Sequence, residues 1–217
     1  MSLLNHFNEN FYQTIEICQS ARVNEDILFH WQESGLFPAS SFVIENKLQV
    51  NSYLGITEHT EQIEYYPRGY LAWAQILIKH NIESSSQAFM YFGNLYQQTL
   101  NQLVHGLPET VIASFTEDLE ESIQSSWQYF LVGKYGAISS TGKIEEIVAI
   151  DLFKYVISFL TEDFSLDILD EETRKTLHVA LRQINSAVAL DNPVLPKQLI
   201  RQRYIERLIK QYDLSIR

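Results

Sequence analysis

The stretch "GAISSTGK", residues 136 to 143, has the residue types of a phosphate cradle. Two glycines flank a polar run, and a lysine follows the second. A loop of this kind holds nucleotide phosphates when it reads G-x-x-x-x-G-K-[ST] after a buried strand. Five residues separate Gly136 from Gly142, one more than the motif allows. Ile144 stands where a magnesium-binding hydroxyl is needed, and the preceding "SSWQYFLVGKYG" reads as an aromatic helix end. All three requirements fail. The spacing predicts a helix C-cap at Gly133, a tight turn at Gly136 and a new helix after Gly142. Glu145 and Glu146 fall in the first turn of that helix and already complement its dipole.

Other chemistry-bearing residues are scattered. His6, His30, His59, His80, His105 and His178 form no pair at helical ligand spacing. No Glu precedes a His by three residues, so the di-iron bundle signature is missing, and no metal site is expected. Glu117, Asp118, Glu120 and Glu121 read as a solvated helix face. Cys18, the single cysteine, lies on an apolar helix face, which suits a core position better than a nucleophile. One cysteine excludes an internal disulfide and fits a reducing cytoplasm.

These residues need elements to position them. The chain has 217 residues, 46% hydrophobic and 20% charged, with twelve Tyr and twelve Phe. That suits a folded chain with an aromatic-rich core. "MSLLNHFNENFYQ" has no basic region leading into an apolar stretch, so a signal peptide is not expected. "IEEIVAIDLFKYVISFL" is the most apolar long stretch, but Glu145, Glu146, Asp151 and Lys154 argue against a membrane span.

"YQTIEICQSA" predicts a helix with Ile15, Ile17, Cys18 and Ala21 inward. Asn24 can cap a second helix carrying Ile27, Leu28 and Trp31, and Gly35 can end it. "FVIE" and "QIEYYP" alternate like the two strands of a hairpin, and "GYLAWAQILIKH" is helical. Ser84 and Gln87 form a capping box before a stripe of Phe89, Phe92, Tyr96, Leu100 and Leu103. Pro108 opens a helix carrying Ile112, Phe115, Leu119, Ser122, Ser126 and Phe130. Its serines would admit a neighbouring helix. From Lys143 to Leu160 the chain is apolar around most of the helix circumference, as a central bundle helix would be. A further helix starts near Asp170. After "DNPVLP" a last one presents Tyr204, Ile205, Leu208, Ile209 and Tyr212 on one side and Arg203, Arg207 and Lys210 on the other. Residues 174–217 hold nine basic and three acidic residues of a chain whose net charge is −11. The basic tail is expected to dock on the acidic remainder, its own or a dimer mate's.

Two resemblances follow from these stretches. "TIEICQSARVNEDILFHWQESGLFP" resembles the DNA-binding domain of MerR-type regulators and excisionases, through Trp31, Gly35, Leu36 and Pro38. The resemblance implies a winged helix whose recognition helix would include Asn24, His30 and Trp31. That helix carries Glu25, Asp26 and Glu33 and no Lys or Arg, so it would repel a duplex. "SWQYFLVGKYGAISSTGKIEEIVAID" is similar to the central block of a bacterial family of unknown function, some members of which are labelled natural-product biosynthesis proteins. Trp127, Phe130, Leu131, Gly133, Tyr135, Gly136, Glu145 and Glu146 carry it.

The expectation is therefore a mainly α protein: a small winged-helix-like unit over 1–68 and a helical bundle over 69–217. The leading function is a non-catalytic binding or adaptor protein, linked through the resemblance to natural-product biosynthesis. The alternatives are a MerR-like regulator that still binds DNA, and a small-molecule binder or enzyme with a pocket near Trp127, Tyr135 and Glu146. No cofactor is called for. A protein or small-molecule partner and a homodimer are open, while DNA and membrane are disfavoured.

Overall fold

The computed structural model describes residues 3–190 and 197–216. The chain is mainly helical, with one small antiparallel sheet. In order come α1 (Leu3–Asn10), β1 (Phe11–Gln13), α2 (Thr14–Ala21), α3 (Glu25–Glu33), β2 (Phe42–Ser52), β3 (Gly55–Pro67) and α4 (Tyr70–Lys79). Then follow α5 (Ser85–Leu103), α6 (Glu109–Thr116), α7 (Leu119–Leu131), α8 (Lys134–Ile138), α9 (Ile144–Leu160) and α10 (Glu171–Ala187). The last helix begins as a π segment, Arg201–Glu206, and continues as α11 (Arg207–Tyr212). Residues 191–196, read above as the lead-in to this helix, lie outside the described residues.

The helix starts follow their caps. Asn24 accepts a hydrogen bond from the Ile27 N–H, Ser84 and Gln87 complete a capping box, and Asp170 accepts from the Thr173 N–H. Each satisfies an N–H that the first turn leaves without a partner. Local details differ from expectation. Tyr12 belongs to β1, and α2 starts at Thr14 behind a box formed by Gln13 and Glu16. Ile15 is exposed, because the helix begins later and turns Ile17, Cys18 and Ala21 inward. The helix expected from Pro108 to Phe130 is two helices. The Thr116 hydroxyl bonds back to the Ile112 and Ala113 carbonyls, each at 3.0 Å. Such bonds compete with the backbone ladder, and the chain restarts at Leu119.

The sheet order is β1-β3-β2. β2 and β3 pair from Phe42↔Tyr65 out to Ser52↔Gly55, so the hairpin is far longer than its two apolar ends suggested. β1 covers β3 only at its base, Phe11↔Pro67 to Gln13↔Tyr65.

The core is one contiguous cluster running from Ile17 to Leu214. α9 is its axis: nine of its residues are buried, and it packs on α10, α5 and α6. An aromatic knot joins α4, α5 and α7, with Trp73, Phe92, Trp127 and Phe130 in mutual ring contact. The last helix docks in its own chain, burying Ile205, Leu208 and Tyr212.

Gly136 is not a turn. It sits inside α8, where an added Cβ would collide with Ser41, Pro67 and Tyr70. Gly133 has φ of 73° and brings its Cα against the Ala39 and Ser40 carbonyls. A side chain would be strained there on both counts. These two glycines let the α7–α8 turn lie flat against the base of the hairpin.

Candidate functional site

Asp151 lies on α9, the one carboxylate facing inward among that helix's buried apolar residues. Its Oδ2 accepts from the Ser126 hydroxyl at 2.6 Å, from Tyr135 at 2.8 Å and from Tyr96 at 3.3 Å. Its Oδ1 accepts from Tyr135 at 2.7 Å. α5, α7 and α8 thus each send one hydroxyl to a single carboxyl on α9. Ser126, Tyr135 and Tyr96 are buried, while Asp151 itself is half-buried.

Burial raises the Asp151 carboxyl above its ordinary range, against the pull of the Ser126 and Tyr135 hydroxyls and the nearby Lys154 charge. The same forces act on the phenols. Burial first, then the Asp151 charge, pushes Tyr135 and Tyr96 well above an ordinary tyrosine. The phenols therefore stay protonated and serve as donors.

Asp151 opens onto a cleft of about 790 Å³. Ser122, Ser125 and Ser126 line it from α7, Tyr155 and Ser158 from α9, and Tyr204 from the last helix. The serines expected to admit a helix thus leave room for the cleft. The Lys134 ammonium covers the Tyr129 ring at 3.5 Å near its mouth. Asp118, Glu121 and Asp163 also line the cleft, against Lys134 and Lys154, so its charge is acidic on balance. The acidic run is exposed, as expected of a solvated face, and two of its residues also line the cleft.

The three residues singled out from sequence occupy three environments. Tyr135 lines the cleft. Trp127 is 2% exposed and lies in the aromatic knot. Glu146 reaches back over the "GAISSTGK" connection, accepting from the Thr141 N–H at 2.8 Å, the Gly142 N–H at 3.0 Å and the Thr141 hydroxyl at 2.9 Å. That geometry explains the loop. Its outward N–H groups already hold an anion, and the anion is the protein's own carboxylate.

Glu146→Ala is expected to lower stability by about 2–3 kcal/mol, since hydrogen bonds to a charged group are worth roughly 1.5–3 kcal/mol. Lys143 is exposed, and Lys143→Ala should cost under about 0.5 kcal/mol. Urea unfolding of the two variants checks the ranking. Equal losses would mean that the lysine shares in holding the loop.

Elsewhere, Asn24 acts as a helix cap, His30 is exposed, and Trp31 packs its ring 6.1 Å from Phe37. Among the described residues, no three His, Cys, Asp or Glu side chains group as metal ligands. No helix among them is long and apolar enough to cross a membrane. In the sequence Asp151 counts only as a charge against a membrane span. Its further signal is an acid in the middle of a helix, past the first-turn Glu145 and Glu146, with apolar residues on both sides.

No curated protein and no solved structure matches the chain. One profile does, covering residues 88–213, which include α7, α8, α9 and every side chain that binds Asp151. The chain belongs to that family, the family of unknown function DUF6058.

Proposed function

We propose that the protein binds a small organic ammonium compound in the cleft over Asp151. The observation that carries this is the carboxylate at the cleft floor. It is fixed by three hydroxyls, yet among the described residues its Oδ1 engages Tyr135 alone and so keeps acceptor capacity. The acidic lining and the Tyr155 and Tyr204 rings favour a cation with an apolar body, since ring faces attract cations. Raised phenols suit binding over catalysis. A specialised-metabolite pathway, implied by the resemblance of the central block, would be a source of such amines.

A winged-helix reading of the N-terminal unit rests on the order α2, α3, β2, β3. With Glu25, Asp26 and Glu33 on α3, that unit is proposed as a scaffold and not as a DNA reader.

Calorimetry with phenethylamine, and with phenylacetate as the opposite charge, tests the proposal. Saturable heat is expected with the amine alone, weakened at least about tenfold in Asp151→Asn. The pH dependence has a definite sign. The raised carboxyl favours the protonated fold, so its contribution to stability is complete below the ordinary Asp value of about 3.9. It is lost as pH rises through the raised value. Amine binding needs the ionised form, so affinity should climb over that same rise. The stability of Asp151→Asn relative to the native chain should climb with it. Phenylacetate binding, or amine binding untouched by Asp151→Asn, would overturn the proposal.

A further inference from the structure

β2 is eleven residues long, half-buried at Phe42, Ile44 and Asn46 and exposed elsewhere. β3 pairs one of its edges, and among the described residues no element pairs the other. The hairpin stands off the body: from Lys47 to Gln62 every residue is exposed. Its two-residue tip is apolar, with Tyr53 and Leu54 at 103% and 94% exposure. A long free edge is a template for another strand, and native proteins usually blunt it, often with a lysine. Lys47 could serve that purpose at mid-strand. However, Glu45 lies two positions earlier on the same face, 3.4 Å from the Lys47 ammonium. Opposite charges at this spacing make the edge complementary to itself.

We propose that two copies of the chain pair antiparallel through β2, with the two-fold axis at Asn46. Side chains alternate faces along a strand, and residues opposite each other share a face. In this register Glu45 of one copy faces Lys47 of the other, twice. On the opposite face Ile44 meets Leu48 and Phe42 meets Val50, again twice each. A shift of one residue in the axis, to Glu45 or to Lys47, sets like charges directly opposite. Such pairs are destabilising. The charge pattern therefore selects one register. It also gives the tip a place to go. Beyond the paired stretch, Tyr53 and Leu54 of one copy come level with Ala39 and Pro38 of the other, at the turn into β2. An isologous contact of this kind closes on itself, so it ends at a dimer and builds no fibre.

Sedimentation of the full chain and two charge reversals tests this. Both sites of change are exposed, so each variant should keep the native circular dichroism spectrum. The native chain should sediment at twice its 25.2 kDa mass. Glu45→Lys and Lys47→Glu should each weaken dimerisation about tenfold or more, because each sets like charges opposite in both pairs. An equimolar mixture of the two variants restores opposite charges at every contact and should recover the dimer. A native chain that stays monomeric would overturn the proposal. So would a dimer that survives both reversals, or a mixture that fails to recover.

Discussion

Deletion of residues 197–217 is expected to unfold the protein and not merely to free it of a basic arm. The deleted segment buries Ile205, Leu208, Tyr212 and Leu214. Each such side chain contributes about 1.5–3 kcal/mol when removed from water. Together they match a large part of the roughly 5–15 kcal/mol that holds a domain folded. Polar contacts fix the placement. Tyr212 donates its hydroxyl to the Leu166 carbonyl at 2.8 Å, Gln211 donates to the Phe164 carbonyl at 3.1 Å, and Arg174 donates to the Asp213 carbonyl at 3.0 Å. The basic face contributes less. Arg203 meets Asp163 at 3.5 Å with both side chains more than half exposed, a pair worth about 0–1 kcal/mol. Arg207 instead lies over the Phe164 ring at 4.4 Å. Packing therefore dominates and charge orients. Thermal melting followed by circular dichroism should show the cooperative transition lost, or lowered by well over about 10 °C. In the intact chain, added salt should move the midpoint only slightly. A truncated chain that melts with the native one would make the helix a free arm, and the cleft would then lose its Tyr204 wall without consequence for the fold.

The parts legible in sequence are those set by neighbours along the chain. Asn24, Ser84 and Asp170 announce helix starts because a cap acts three residues ahead. α9 announces a central position because it is apolar around its circumference. The hairpin announced only its ends. Its outer part has no buried face: Leu48 and Val50 still alternate with polar residues on β2, but between Gly55 and Gln62 β3 carries only Ile56 to answer them. The break between α6 and α7 depended on one threonine hydroxyl turning back on the ladder. Of the cleft's cluster the sequence marked Tyr135 alone, and it grouped that residue with Trp127 and Glu146, which lie elsewhere. Tyr96, Ser126 and Asp151 are far apart in sequence, and none of them reads alone as part of a site. Their convergence is a property of how α5, α7 and α8 pack around α9. Glu146 was noticed for its charge in a first turn, but its role lies in the loop behind it.

Trp127→Ala is expected to cost about 3–5 kcal/mol, the usual range for removing a large aromatic from a core, without touching the cleft directly. Successive residues on a helix diverge by about 100°, at 3.6 residues per turn. Ser126 and Trp127 therefore face different worlds. Ser126 points its hydroxyl at Asp151, and Trp127 enters the knot, with ring centroids 5.2 Å from Phe92 and 5.8 Å from both Trp73 and Phe130. Trp73 is itself tied down by its indole N–H, which donates to the Leu36 carbonyl at 2.7 Å. The knot thus connects the bundle to the turn that precedes the hairpin, and a hole at Trp127 weakens both. Trp127→Phe keeps part of the ring contact and should cost about half as much. Urea unfolding gives the stabilities, and phenethylamine calorimetry on the folded Trp127→Phe variant gives the affinity. The affinity should stay within about threefold of the native value, a change worth less than about 1 kcal/mol. If instead Trp127→Phe loses the amine while keeping its stability, the indole belongs to the binding site, and the cleft must reach through α7 to the knot.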